Sequence, residues 1–137
     1  MTDLAALTPQ PLPDPDTREF WDSLRNGTLG ICRCSDCGLW MHPPLERCRS
    51  CAGAVTIQPV TGDGTVVSYI VVRQPTVPGR TPPYVVATVE LSEQRGLHLV
   101  AILDAEPDQV SVGAAVGVKV VPLAGGDFQV PEFVLRD

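Results

Sequence analysis

The stretch that decides the fold is residues 29–51, LGICRCSDCGLWMHPPLERCRSC, which contains all five cysteines of the chain. Four of them form two C-x2-C pairs, Cys34 with Cys37 and Cys48 with Cys51, and ten residues separate the pairs. Each pair lets one tight turn present two thiolates to the same tetrahedral ion. Because four thiolates leave no coordination position for water, the spacing predicts one structural Zn²⁺ per chain and no catalytic metal.

Two neighbouring residues could also bind a metal by their chemistry. Cys32 lies two residues before Cys34, so both side chains would point to one face of an extended strand. If Cys32 were the ligand in place of Cys34, the first pair would have the spacing C-x4-C, which forms a poorer knuckle. We therefore interpret Cys32 as a small, partly buried apolar residue. His42 is predicted not to bind, since the cysteines already fill the site. A redox disulfide pair is the alternative to zinc.

Three arginines flank the two cysteine pairs: Arg33, Arg47 and Arg49. They make this stretch slightly basic within a chain whose net charge is −6. One interpretation is that they bind a phosphate group, such as the nucleotide end of coenzyme A. The other is that they are solvated surface charges, and the sequence leaves both open.

The chain before the cysteines divides into two predicted segments. Residues 1–15 are proline-rich and polar, which is typical of a flexible arm. Residues 16–28 are predicted to hold a helix that runs from Arg18 to about Arg25, with Asn26-Gly27 ending it.

The predicted helix carries two adjacent aromatic residues, Phe20 and Trp21. Neighbours in a helix point in different directions, so one ring could pack inward and the other outward. Either both rings cover the nearby core, or they help to dock a partner.

The rest of the chain is rich in valine and is predicted to form strands. We assign residues 29–54 to a zinc ribbon and residues 55–137 to a β-barrel. Gly125-Gly126-Asp127 is typical of a hairpin turn. Five strands without a convincing helix among them favour a small closed or nearly closed barrel, and thus a mostly β protein. The predicted strands are 65–73, 84–91, 97–103, 115–121 and 128–135.

Charge and hydropathy narrow the compartment and the partners. The chain has ten basic and sixteen acidic residues, so it repels a phosphate backbone as a whole. The N-terminal residues have no basic n-region or apolar h-region, and no stretch approaches the roughly 18 apolar residues of a membrane span. We therefore expect a cytoplasmic protein with no membrane contact, where paired cysteines are metal ligands before they are disulfides.

Several motifs together resemble the zinc-ribbon/OB-fold proteins once classified as a domain of unknown function. The resemblance covers roughly residues 14–136, and the combination of motifs is specific although each alone is weak. Arg49 stands where a proline is common in the family, and Ala52 stands where a glycine is common. The matching motifs are Phe20-Trp21, LGICRCSDCG at 29–38, Pro43-Pro44, CRSC at 48–51, GTVVSY at 64–69, PYVVA at 83–87, Val112-Gly113 and 116–121.

The resemblance implies an N-terminal helix, a rubredoxin-like zinc ribbon and a five-stranded OB-fold barrel. It also implies a role as a non-catalytic accessory subunit of a thiolase-like enzyme acting on acyl-coenzyme A. Such partners include thiolases, hydroxymethylglutaryl-CoA synthases and thiolase homologues that act as aldolases in steroid side-chain breakdown. The acyl-CoA thioester would lie at or near the interface with that enzyme.

Two other classes of function compete with this expectation. OB barrels and zinc ribbons both bind single-stranded nucleic acid, but that work needs aromatic platforms and a basic groove, and the predicted strands carry few of either. Catalysis by the chain alone needs a nucleophile–base pair or an open metal position. The paired cysteines are committed to zinc, and His98 stands in a strand with no obvious partner.

Overall fold

Within residues 4–136 the chain forms one α-helix, a small three-stranded sheet and a closed five-stranded barrel, in that order. The computed structural model describes residues 4–136. This confirms the mostly β architecture predicted from the sequence, with each barrel strand within one residue of its predicted bounds. The elements are α1 (Arg18–Arg25), β1 (Gly30–Cys34), β2 (Trp40–Met41), β3 (Val55–Pro59), β4 (Gly64–Val72), β5 (Tyr84–Leu91), β6 (His98–Leu103), β7 (Ala115–Pro122) and β8 (Gln129–Leu135).

Helix α1 begins after a turn organised by Asp14, whose carboxylate accepts hydrogen bonds from the backbone N–H groups of Asp16 and Thr17. The Thr17 hydroxyl makes no capping hydrogen bond to the helix, so the Asp14 carboxylate, in the preceding turn, serves as the cap. Gly27 ends the helix with a φ of 84°, a conformation that glycine adopts without steric penalty. Phe20, one turn before the buried Leu24, lies on the same buried face of α1.

The first sheet has the order β2-β1-β3 and is antiparallel throughout. Strand β3, within the stretch that the sequence analysis assigned to the barrel, pairs with β1 along its whole length. Side chains on β1 alternate between two faces, so Ile31 packs into the main core while Cys32 and Cys34 face the cysteine cluster.

Gly30 shows how closely α1, β1 and β3 approach one another. A Cβ atom at this position would collide with the Ile57 side chain and lie 2.9 Å from Ser23 Oγ. The Ser23 hydroxyl also accepts a hydrogen bond of 3.1 Å from the Gly30 N–H. Gly30 is therefore required for the helix to seat on the sheet.

The barrel closes in the order β4-β5-β6-β8-β7. All its strand pairs are antiparallel except β6 with β8, which pair in parallel through Ile102 and Leu103. Strand β5 alternates strictly between buried and half-buried residues, as expected for a strand with one face inward. A bulge between Val66 and Ser68 shifts the β4 register.

One hydrophobic core joins the barrel to the helix and to one face of the ribbon sheet. Phe133 in β8 is fully buried at its centre. The ribbon sheet contributes Leu29, Ile31 and Trp40 to the same core, so the two parts share buried surface.

The segment before α1 was predicted to be a flexible arm, and residues 1–3 of it lie outside the described residues. Leu4–Leu7 form a 3-10 helix. Farther along, the Thr8 hydroxyl donates to the Pro78 carbonyl at 3.2 Å and Gln10 Nε2 to the Ala124 carbonyl at 2.8 Å. These bonds place the segment against two loops of the barrel. None of the helices within residues 4–136 is long and apolar enough to cross a membrane.

Candidate metal centre

The four cysteines of the two C-x2-C pairs come together at one end of the ribbon sheet. Their sulfur atoms all lie within 4.8 Å of one another. Cys34 Sγ is 3.5 Å from Cys51 Sγ, and Cys37 Sγ is 3.6 Å from Cys48 Sγ. A zinc–sulfur bond of about 2.3 Å in a tetrahedron places neighbouring sulfurs about 3.8 Å apart. The four cysteines are thus positioned to bind one metal ion, as the spacing predicted.

Backbone N–H groups aimed at the sulfurs favour their charged form. The N–H groups of Cys37 and Asp36 each lie 3.3 Å from Cys34 Sγ and lower the pKa of the Cys34 thiol to about 6. Hydrogen bonds from the N–H groups of Cys51 and Ser50 likewise lower the pKa of Cys48. Because a metal binds the thiolate and not the thiol, these bonds prepare both knuckles for a cation.

The turn after each knuckle needs a left-handed backbone. Gly38 has a φ of 79°, and its N–H donates to the Cys34 carbonyl at 3.1 Å. Ala52 has a φ of 60° in the equivalent place after Cys51, and its N–H donates to the Cys48 carbonyl at 2.9 Å. A residue with a Cβ, such as Ala52, is strained in this conformation by about 1–2 kcal/mol. The second knuckle nevertheless keeps the shape of the first.

Cys32 and His42 do not join the cluster. Among residues 4–136, the group that could hold a metal consists of the four paired cysteines. Cys32 is buried beside them, and burial raises the pKa of its thiol. The His42 ring packs 5.1 Å from the Phe20 ring, and burial lowers the pKa of its imidazole.

The three arginines proposed for phosphate binding take different positions. The Arg33 guanidinium stacks 4.5 Å above the Trp40 ring, and Arg33 Nε donates to the Gly38 carbonyl at 2.9 Å. These contacts hold it against the ribbon. Arg47 and Arg49 are both exposed beside the second knuckle. Arg47 Nη1 donates a hydrogen bond of 3.4 Å to the Ala52 carbonyl, so its guanidinium lies against the second knuckle.

The two aromatic residues of helix α1 lie in different environments. Phe20 is 5 % exposed and belongs to the core, with its ring at the wall of the groove that Trp21 also lines. Trp21 is half-buried and meets the Phe128 ring edge-on at 5.8 Å. It lines an apolar groove of about 430 Å³.

A link between the ribbon and the barrel was not foreseen from the sequence. Gln94, in the turn between β5 and β6, accepts a hydrogen bond from the Trp40 N–H and donates one to the Trp40 carbonyl, both at 2.9 Å. The amide thus pairs with the ribbon's edge strand as another strand would. A glutamine in a polar turn carries no local signal of such a role.

The sequence showed no obvious catalytic partner for His98, and the structure places one carboxylate near its ring. Its Nε2 lies 3.9 Å from a carboxylate oxygen of Glu90 on the next strand. Both side chains are well exposed on the outer face of the barrel, so the pair has the character of a surface contact.

The fold and the site together define a class, a closed four-cysteine zinc ribbon joined to an OB-fold barrel. Family models agree: residues 21–56 match the rubredoxin-like zinc ribbon domain of ChsH2, and residues 57–121 match the C-terminal OB-fold domain of ChsH2. A solved structure titled Ltp2-ChsH2(DUF35) aldolase superimposes with a TM-score of 0.84 at 31 % identity, covering 92 % of this chain and 98 % of that one. The chain belongs to the ChsH2 (DUF35) family.

Further relatives are longer or more distant. A probable enoyl-CoA hydratase alpha subunit of Thermomonospora curvata is 37 % identical over 114 residues, 81 % of this chain and 35 % of the relative. The 3-oxo-4,17-pregnadiene-20-carboxyl-CoA hydratase alpha subunit of Mycobacterium tuberculosis is 37 % identical over 109 residues, 78 % of this chain and 34 % of its own. The chain therefore spans about a third of the length of these curated relatives. A DUF35 protein of unknown function from Sulfolobus solfataricus shares the fold alone, with a TM-score of 0.57 at 20 % identity over 89 % of this chain and 86 % of that one.

Proposed function

We propose that this chain is a non-catalytic accessory subunit that docks on a thiolase-like acyl-CoA enzyme and supports its activity. The observation that carries the proposal is the likeness to the Ltp2-ChsH2(DUF35) aldolase, whose title names two components. This chain covers 98 % of the matched chain, so the likeness extends over that whole module.

The metal centre supports a structural role for this chain. Four cysteine sulfurs within 4.8 Å fill the coordination sphere of a tetrahedral ion. Zinc bound there by Cys34, Cys37, Cys48 and Cys51 would supply folding free energy, and no position would remain for substrate or water. The chemistry of the complex then belongs to the partner enzyme.

The names of the relatives support a proposal for the substrate class. Both curated relatives are named as alpha subunits of CoA-thioester hydratases, one of them for a pregnadiene carboxyl-CoA. We extend this to an acyl-CoA thioester handled by the partner, of the steroid side-chain type, in the cytoplasm. Arg47 and Arg49, both exposed beside the second knuckle, are the candidates to meet the phosphates of coenzyme A.

Coexpression tests the proposal. The chain is produced together with a thiolase-like acyl-CoA enzyme from the same organism, and the mixture is separated by size-exclusion chromatography. We expect one stable complex that turns over an acyl-CoA thioester, while this chain alone turns over none. An enzyme that is fully active without this chain would refute the proposal, and so would turnover by this chain alone.

A titration with single-stranded DNA at low salt addresses the competing class. The outward positions of β4, β5 and β6 include Tyr84 but no lysine or arginine, so neither a basic track nor a row of stacking platforms is present there. We expect no saturable binding below the micromolar range. Tight binding that weakens steeply with salt would favour a nucleic-acid function instead.

A further inference from the structure

The outer face of the barrel carries apolar side chains on β4, β5 and β6, although this face is open to solvent. On β4, β5 and β6 the inward residues are the buried ones, so the alternate residues point outward. Those outward positions include Ile70, Val86, Val100 and Ile102. Ile70 is 62 % exposed and Val100 is 60 % exposed.

The strand register places these side chains side by side. Ile70 pairs with Val86, and Val86 pairs with Ile102, so one row of branched aliphatic residues crosses all three strands. Val100 lies in the next row, opposite Thr88. Strands are about 4.8 Å apart and residues about 3.3 Å apart, so these four positions span roughly 10 Å across the strands and about 7 Å along them.

The face continues into the apolar groove beside Trp21. Val100 and Ile102 line this groove together with Trp21, Val130 and Pro131. The groove lies at a seam of the barrel, because the described pairing of β6 with β8 ends at Ile102 and Glu132. Pro131 precedes Glu132 and has no N–H to donate, which explains why the pairing stops there.

The size of the apolar face and the net charge of the chain indicate which kind of partner covers this surface. A stable interface buries about 800 Å² on each partner and has an apolar core inside a polar rim. The face supplies one part of such an apolar core and the groove beside Trp21 supplies another, while charged groups lie at the ends, as with Glu90 and Arg80. Two copies of this chain would each bring a net charge of −6 and repel one another. A different protein is therefore the better occupant.

We infer that the row Ile70, Val86 and Ile102, with Val100 and the Trp21 groove, is the core of the docking surface for the acyl-CoA enzyme subunit. This inference rests on the proposed function and names the surface that performs it. Burying these side chains removes exposed aliphatic area from water and seats Trp21, an aromatic residue of the kind that anchors interfaces.

Charge insertion tests the surface. Val100→Glu and Ile70→Glu each place a carboxylate on the face, one on β6 and one on β4, and Val112→Glu is the matched control. Val112 is an aliphatic residue that is 67 % exposed on the loop before β7. Affinity for the coexpressed thiolase-like enzyme is measured by isothermal titration calorimetry with each purified full-length variant. Zinc content and the thermal midpoint report that each variant is folded.

We expect Val100→Glu and Ile70→Glu to weaken the complex at least tenfold, with normal zinc content and thermal midpoint. Val112→Glu should change the affinity less than threefold. If the wild-type chain binds the enzyme and both the Val100→Glu and Ile70→Glu variants bind equally well, this inference is wrong and the proposed function stands. If Val112→Glu weakens binding as much as they do, the effect is general charge and the inference is also wrong.

Two further outcomes distinguish a failure of this inference from a failure of the proposed function. A wild-type chain that binds no thiolase-like enzyme removes the proposed function, and the inference with it. Sedimentation of the chain alone gives the other outcome. If the wild type is a dimer that Val100→Glu dissociates, the face belongs to a second copy and the inference is overturned.

Discussion

The ribbon and the barrel are both built mainly from antiparallel strands, yet different interactions stabilise them. The cluster on the knuckle side of the ribbon consists of three cysteines and Met41, which leaves little apolar surface to bury there. The barrel closes around aliphatic residues and Phe133. A module of the ribbon's size lacks a sufficient core of its own, whereas a barrel of about 75 residues gains most of its stability from buried area.

The ribbon sheet is stabilised both by the metal site and by buried apolar area, because its two faces differ. Ile31 points into the main core, and Cys34, on the same strand, points toward the metal site. Loss of metal should therefore free the knuckles without releasing the side of the sheet that packs against the barrel. The following changes test this division, beginning with the largest expected effect.

Cys37→Ser should remove zinc and unfold the knuckles while the barrel remains folded. Structural zinc supplies about 10–16 kcal/mol of binding free energy to small zinc-finger peptides, and three thiolates hold it far less well. Metal analysis combined with amide hydrogen exchange measures both effects. Cys32→Ala is the control and should keep one zinc per chain. Metal loss in the control would show that the ligand register is wrong, and loss of barrel protection in Cys37→Ser would show that the two regions fold as one.

Phe133→Ala should destabilise the barrel by about 3–5 kcal/mol, because it empties a fully buried site. Urea denaturation followed by circular dichroism measures the loss. Val112→Ala, at an exposed position, should stay within about 0.5 kcal/mol of the wild type. The folded Phe133→Ala protein should retain its zinc. Zinc loss under native conditions would mean that the metal site depends on the barrel core.

Gln94→Ala should weaken the connection between the two regions by about 1–3 kcal/mol, because the Trp40 N–H and carbonyl lose their partner. Faster hydrogen exchange at the Trp40 amide should accompany the loss. Arg95→Ala, at the exposed neighbouring position, is the control and should change neither quantity. An unchanged exchange rate at Trp40 in Gln94→Ala would show that the shared core alone holds the ribbon.

Asp104→Asn should have the smallest effect, no more than about 1 kcal/mol, as is usual for exposed pairs. Asp104 accepts a hydrogen bond from Lys119 Nζ at 2.6 Å, which raises the pKa of Lys119. The raised pKa stabilises the fold at pH values below the usual lysine value, and this contribution is lost as the pH rises through the folded-state pKa. The variant should therefore lower the Lys119 pKa, as measured by NMR titration. A large drop in the thermal midpoint at neutral pH would contradict the view that burial dominates the barrel.

Much of the fold could be predicted because its signals are local. Two C-x2-C pairs specify a four-sulfur site through the geometry of tight turns, and alternating valines specify strands through the two-residue repeat. The helix from Arg18 to Arg25 was also predictable, since Asn26-Gly27 ends it. The strands of the ribbon were not predicted as strands, because β2 is two residues long and β3 forms only by pairing with distant β1.

The candidate site was predictable in its ligands and not in its surroundings. Nothing near Arg33 in the sequence shows that its guanidinium stacks on Trp40, and nothing near Gln94 shows that it binds the ribbon. For Phe20 and Trp21, the sequence says only that the rings diverge. Which ring is buried depends on how α1 seats over Gly30.

By itself, then, the sequence determined the four thiolates, the five barrel strands and the acidic charge, because each of these depends on residues close together in the chain or on composition. The tertiary structure alone decided the row formed by Ile70, Val86 and Ile102. These residues are 16 positions apart along the chain, and they meet only because the β4–β5 and β5–β6 registers align them after the bulge in β4. Register is a long-range property, since a shift of one residue would turn every such side chain to the opposite face.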